Sequence, residues 1–215
     1  MLKALSAKRA YSLAERHQPI AFAEFRHFWD YSCEIFEGFP AALTRPPAAY
    51  YWCRTDGEKW YYIGYALYHA QDWAAWPADL LPGECHQYDF EAVLCRIPYY
   101  LPHHEPKRGV DYITVHHHEL LTFSAPAALR PAIFIEAGGH GIEGLPRLDG
   151  KNVLTIEDWR LIPLDPIMEN PKRREGIRQI FNNCGVHLPD QWSNHGQYPG
   201  WFWHRPDDLF AALFK

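Results

Sequence analysis

The sequence predicts a mainly β (α+β) protein: an antiparallel β-sandwich core with peripheral helices at both chain ends. Three observations carry that expectation. Short aromatic and β-branched runs recur between Tyr50 and Leu164, divided by Pro- and Gly-rich links. Helical spacing is confined to the two ends. The strand–helix alternation that builds parallel α/β sheets is absent. With 215 residues and no linker-like stretch, one domain over 1–215 is expected. It would comprise N-terminal helices over about 1–38, a β core over about 50–164, and a helix with an aromatic tail over 165–215.

The elements follow in order. Residues Leu2 to about Arg16 have loose helical spacing, and Pro19 ends the segment. Phe22, Phe25, Phe28, Trp29, Ile35 and Phe36 suggest a second helix, closed by Gly38 and Pro40. "RPPAAYYW" is a breaker followed by extended chain. "KWYYIGYALYHAQDW" reads as a strand in which Gly64 marks a close approach or bulge. "WPADLLPGEC" is a loop, and "YDFEAVLCRIPYY", "DYITVHHHELLTF", "PAIFIEAGGHG" and "NVLTIEDWRLIPL" read as further strands. "NPKRREGIRQIFNNCG" has a helical pattern with Gly185 just past its end. The tail "PGWFWHRPDDLFAALF" finishes in a short helix.

Composition narrows the function classes. The chain is 47% hydrophobic and 16% aromatic, which supplies a core and argues against disorder. A net charge of −5 offers no basic excess for phosphates, so no nucleic-acid partner is expected. The 5 Cys have no C-x-x-C spacing, which disfavours a zinc ribbon or a full disulfide framework. Lys and Arg interrupt the N-terminal stretch, which has no signal-peptide pattern, and no apolar run reaches bilayer length. The expected setting is cytoplasmic, with a non-standard secretion route left open and no transmembrane segment. G-x-G-x-x-G and P-loop patterns are absent.

The stretch "GECHQYDFEAVLCRIPYY" concentrates the chemistry. Asp89 and Glu91 are two apart, so a strand sends both to one face, and Val93 and Cys95 continue that face. Adjacent carboxylates stay ionised only when a cation or a protonated neighbour compensates them. His86 precedes the predicted strand, where a bend would turn it towards them. Asp72, at the end of "YHAQDW", would return to the same mouth if the two strands pair across the Pro82 loop. Asp72, His86, Asp89 and Glu91 thus form a candidate metal set. Its oxygen-rich, thiolate-free character suits Mg²⁺ or Ca²⁺ better than Zn²⁺. The alternative is a polar rim around a surface loop.

"GECHQYDFEAV" resembles the "GHRHDWE" heptapeptide of the necrosis-inducing, Nep-like proteins, sharing His-x-x-Asp-x-Glu. "GYALYHAQDW" is similar to that family's Tyr-rich strand ending in Lys-Asp, and "GWFWHRPDDLFAALF" to its C-terminal stretch. "AIFIEAGGHG" resembles an element of related vacuolar-sorting-type β proteins. The resemblance is at the level of motifs, over Tyr61 to His140 plus the tail. It implies a β-sandwich with peripheral helices and a bound Ca²⁺ or Mg²⁺ held by His86, Asp89, Glu91 and Asp72. Tyr88 and Phe90 depart from the family's second His and its Trp, and the toxins' secretion signal and Cys pair are not evident. The family's activity is not carried over, because a shared fold hosts different functions.

Two function classes follow. One is a divalent-cation-binding protein whose pocket recognises a small polar ligand, such as a glycan or a lipid head group. The other is a metal-dependent hydrolase in which His140 or His117 serves as acid or base. His140 follows Gly138 and Gly139, which permit a sharp turn. "VHHHEL" sends His116 and His118 to one strand face and His117 to the other. No H-E-x-x-H or G-x-S-x-G pattern is present, which favours binding over hydrolysis. A third possibility is a structural protein without a metal. Oligomeric state is not readable from the sequence.

Overall fold

The described strands form two sheets that share one buried core. The computed structural model describes residues 2–25, 30–33, 44–73, 85–99, 109–116, 119–126, 130–137, 142–144 and 153–173, with Phe210 and Phe214. Within these, residues 70–73, 85–90, 109, 115–116, 119–121, 125–126 and 168 are described by their backbone. Strands β1 (Lys3–Ala4), β3 (Ala48–Thr55), β4 (Trp60–Trp73), β5 (Cys85–Pro98), β6 (Gly109–His116) and β7 (Glu119–Pro126) follow one another across a seven-stranded sheet. Its remaining strand, β11 (Arg160–Pro163), also pairs with β3. The second sheet has four strands, ordered β10 (Val153–Ile156), β2 (Ile20–Glu24), β8 (Ala132–Ile135), β9 (Ile142–Glu143). The β-sandwich expectation holds, and most pairs are antiparallel. The exceptions among the described strands are β11 with β3 and β2 with β8, which run parallel.

The core lies between the sheets. Tyr61, Ile63, Tyr65 and Leu67 of β4 and Val93, Cys95 and Ile97 of β5 meet Ala21, Ala23, Ile133 and Ile135 of the smaller sheet. Helix α1 (Ala7–His17) closes the side of this layer with Leu13, Ala14 and His17 buried. The Tyr65 hydroxyl donates to the Ala14 carbonyl at 2.8 Å, tying helix to sheet. The helix stops where the sequence requires it: Gln18 precedes Pro19 and is already extended, with φ −57° and ψ 137°.

Three expectations are corrected. The second helix does not form at its start, because Ile20–Glu24 is strand β2. The aromatic spacing there suggested a helix, but the deciding residues are the alternate Ala21 and Ala23, whose small side chains let the two sheets approach. The single strand expected over "DYITVHHHELLTF" is two paired strands, β6 and β7, with His116 opposite Glu119. "NVLTIEDWRLIPL" is also two strands, one in each sheet. The chain crosses between them through buried Trp159, whose indole N–H donates to the Pro19 carbonyl at 2.8 Å. The short helix α2 (Asp165–Glu169) follows, and the helix expected from Asn170 onward falls mostly outside the described residues. Among the described residues no helix is long and apolar enough to cross a membrane.

The outer face of the large sheet is also covered. Phe210 packs on Trp52 and Tyr62, and Phe214 on Tyr62. Arg96 lies over both Trp60 and Phe214, donates to the Phe214 carbonyl at 3.2 Å and pairs with Asp111. Gly64 is the close approach expected from the sequence. A Cβ there would sit 2.4 Å from Cζ2 of Trp52. Gly64→Ala is therefore expected to cost about 1–3 kcal/mol through overpacking. Chemical denaturation measures this, and the double variant with Trp52→Leu should recover part of the loss.

Candidate functional site

Strands β4 and β5 are 14 residues each and pair from Trp60 opposite Pro98 to Trp73 opposite Cys85. The register keeps the same offset on both sides of the Ala70 position, so no bulge exchanges the two faces. Strand period then assigns each candidate to a face. Asp89 and Glu91 share the parity of Val93 and Cys95, the inner face that meets the smaller sheet. Asp72 stands opposite His86, and both have the parity of Tyr62 and Arg96, the outer face.

By strand parity alone, the four candidate positions divide between the two faces. The expected bend at His86 is replaced by regular strand, because β5 begins at Cys85. Asp72 does reach the neighbouring strand end, as expected from pairing across the Pro82 loop. Its partner position is His86, and the two carboxylate positions of β5 belong to the opposite face.

The inner face brings a different residue to the carboxylates. His69 stands directly opposite Asp89, and Glu91 follows opposite Leu67. His69 is 1% exposed and Glu91 8%. On β6, Thr114 stands opposite Val93, one diagonal step from Glu91, and is fully buried. Towards the Trp73 end, the inner face thus changes from apolar (Leu67, Val93) to polar (His69, Glu91, Thr114). Burying a carboxylate and an imidazole costs free energy unless charge and hydrogen bonding compensate. Among the described residues, no three His, Cys, Asp or Glu side chains form a group that could hold a metal ion. Asp89 is described by its backbone.

Sequence reasoning passed over His69 and Thr114. The signal for His69 was present: it lies an odd number of residues before Asp72, so a strand assigns the two to opposite faces. Choosing which of them meets Asp89 required the register, which sequence alone does not fix. His140 and His117, the acid/base candidates, lie outside the described residues.

Two of the described cysteines, Cys53 and Cys95, are poor nucleophiles. Cys33, Cys53 and Cys95 are buried. Burial pushes the Cys95 thiol well above its ordinary value, and the nearby Cys53 adds to this. Cys53 is raised chiefly by burial as well. Neither of these two thiols supplies thiolate near neutral pH. Comparison with protein-family models, curated proteins and solved structures finds no match to this chain.

Proposed function

We propose that the protein binds a divalent cation on the inner face of its β-sandwich and uses it to organise a pocket for a small polar ligand, such as a glycan or a lipid head group. Asp89 and Glu91 supply oxygen ligands, and His69 supplies imidazole. The observation that supports this reading is a buried carboxylate and a buried imidazole on adjacent strands, on the face to which Asp89 also belongs. A cation is one of the few species that makes paired carboxylates favourable away from water. Oxygen ligands with no thiolate favour Mg²⁺ or Ca²⁺ over Zn²⁺.

The test is melting temperature in added Mg²⁺ or Ca²⁺ against chelator, with elemental analysis of the purified protein. A cation that binds only the folded state stabilises by about 2.7 kcal/mol at a hundred times its dissociation constant. Asp89→Asn should abolish the metal-dependent rise and leave melting in chelator nearly unchanged. Asp72→Asn, on the opposite face, should leave the rise intact. A chelator-insensitive wild type without stoichiometric metal would end the proposal, and equal loss in both variants would restore the four-residue set.

A further inference from the structure

Among the described residues, two buried hydroxyls on the inner face have nothing to bond. Thr114 and Tyr112 are both fully buried, and among the described residues neither Thr114 Oγ1 nor Tyr112 Oη has a hydrogen-bond partner. They are alternate residues of β6, Tyr112 opposite Cys95 and Thr114 opposite Val93, so both have inner-face parity. Buried hydroxyls are nearly always paired with protein or ordered water. Valine would fill the Thr114 position, and phenylalanine the Tyr112 position, with the same shape and no polar atom. Packing therefore does not explain either hydroxyl.

Their position does. Thr114 sits diagonally from Glu91 on the adjacent strand, and His69 lies one strand further on the same face. Tyr112 follows at the next inner position, its ring stacked on Phe123 at 5.3 Å between centroids. That stacking fixes the ring while its hydroxyl stays unpaired. Burial raises the Tyr112 phenol far above its ordinary value, so it remains a protonated donor.

We infer that Thr114 and Tyr112 are neutral oxygen contacts of the species bound at this inner-face site. Thr114 Oγ1 offers a lone pair to the cation beside Glu91, and Tyr112 Oη donates to an oxygen held by that cation, either water or the ligand's own. The site would accordingly take an oxygen-rich ligand carrying an acceptor, such as a hydroxylated or carboxylated head group. This rests on the cation reading above and adds to it two residues that no carboxylate argument selects.

The experiment uses the full chain with Mg²⁺ or Ca²⁺ alone as probe, in titration calorimetry and thermal melting. In chelator, Thr114→Val and Tyr112→Phe should melt at or above wild type, because each removes an unpaired buried hydroxyl. Thr114→Val should bind the cation about tenfold more weakly, and Thr114→Ser should recover most of that loss. Tyr112→Phe should weaken binding by a smaller factor. Wild-type affinity in Thr114→Val, with Asp89→Asn still defective, would overturn the Thr114 assignment and leave the cation reading standing. Wild-type affinity in Tyr112→Phe would remove Tyr112 from the site. A wild type that takes up no cation would overturn both the reading and this inference. Variants that melt well below wild type in chelator would show that the hydroxyls serve the fold instead.

Discussion

Truncation of Phe210 to alanine is expected to cost about 3–5 kcal/mol of folding stability. Phe210 is 1% exposed, with ring centroids 5.8 Å from Trp52 and 5.5 Å from Tyr62. Its removal deletes the apolar area it buries and leaves a cavity against two rigid aromatics that collapse poorly. The loss should extend to Phe214, whose N–H donates to the Phe210 carbonyl at 3.1 Å. Urea denaturation followed by tryptophan emission reports both effects, because Trp52 loses its cover. A loss below about 1 kcal/mol, far under the usual cost of such a truncation, would mean that the tail contributes little to the sandwich.

Acidification is expected to remove about 3 kcal/mol through one side chain, His17. This histidine is buried at the end of α1, and its pKa is lowered from 6.5 to about 4, by burial first and by the adjacent Arg16 second. The folded state thus holds the ring neutral while the unfolded chain protonates it near its ordinary value. Between those values the unfolded state binds more protons, so stability falls as pH falls. The contribution is fully present above about pH 6.5, declines by about 1.4 kcal/mol per pH unit below it, and levels off near pH 4. Denaturation at pH 7.5 and pH 4.5 should show a pH loss in wild type about 2.5 kcal/mol larger than in His17→Leu. Equal losses in the two proteins would assign the acid sensitivity to other groups.

The strands rich in aromatic and β-branched residues were legible in the sequence. "KWYYIGYALYHAQDW" became β4 and "PAIFIEAGGHG" contains β8, because β-branched and aromatic residues concentrate there. Ile20–Glu24 was not legible. Its burial depends on Ala21 and Ala23 meeting a sheet whose other strands come far later in the chain, and local spacing carries no trace of that. The corner at Glu157–Trp159 was missed for a related reason. A short polar interruption in an apolar run looks the same whether the strand continues or changes sheet. For the site, the positions of Asp89 and Glu91 share one strand parity. Cross-strand register, a property of two strands at once, decided that His69 rather than Asp72 stands opposite Asp89.

The two parallel pairings bear on how the chain reaches this structure in time. Ile20 finds its partner at Ala132, and Ala48 finds one at Arg160. Each contact closes a very long loop, and that entropy is spent before the contact returns anything. Hairpins such as β6–β7 form from near neighbours, whereas β2 and the outer edge of β3 must wait for the last strands to emerge. Folding should therefore be slow, on the order of milliseconds to seconds as in other β proteins of high contact order. During synthesis, β2 remains an unpaired edge until β8 and β10 are made, and that interval is when this chain is most exposed to aggregation.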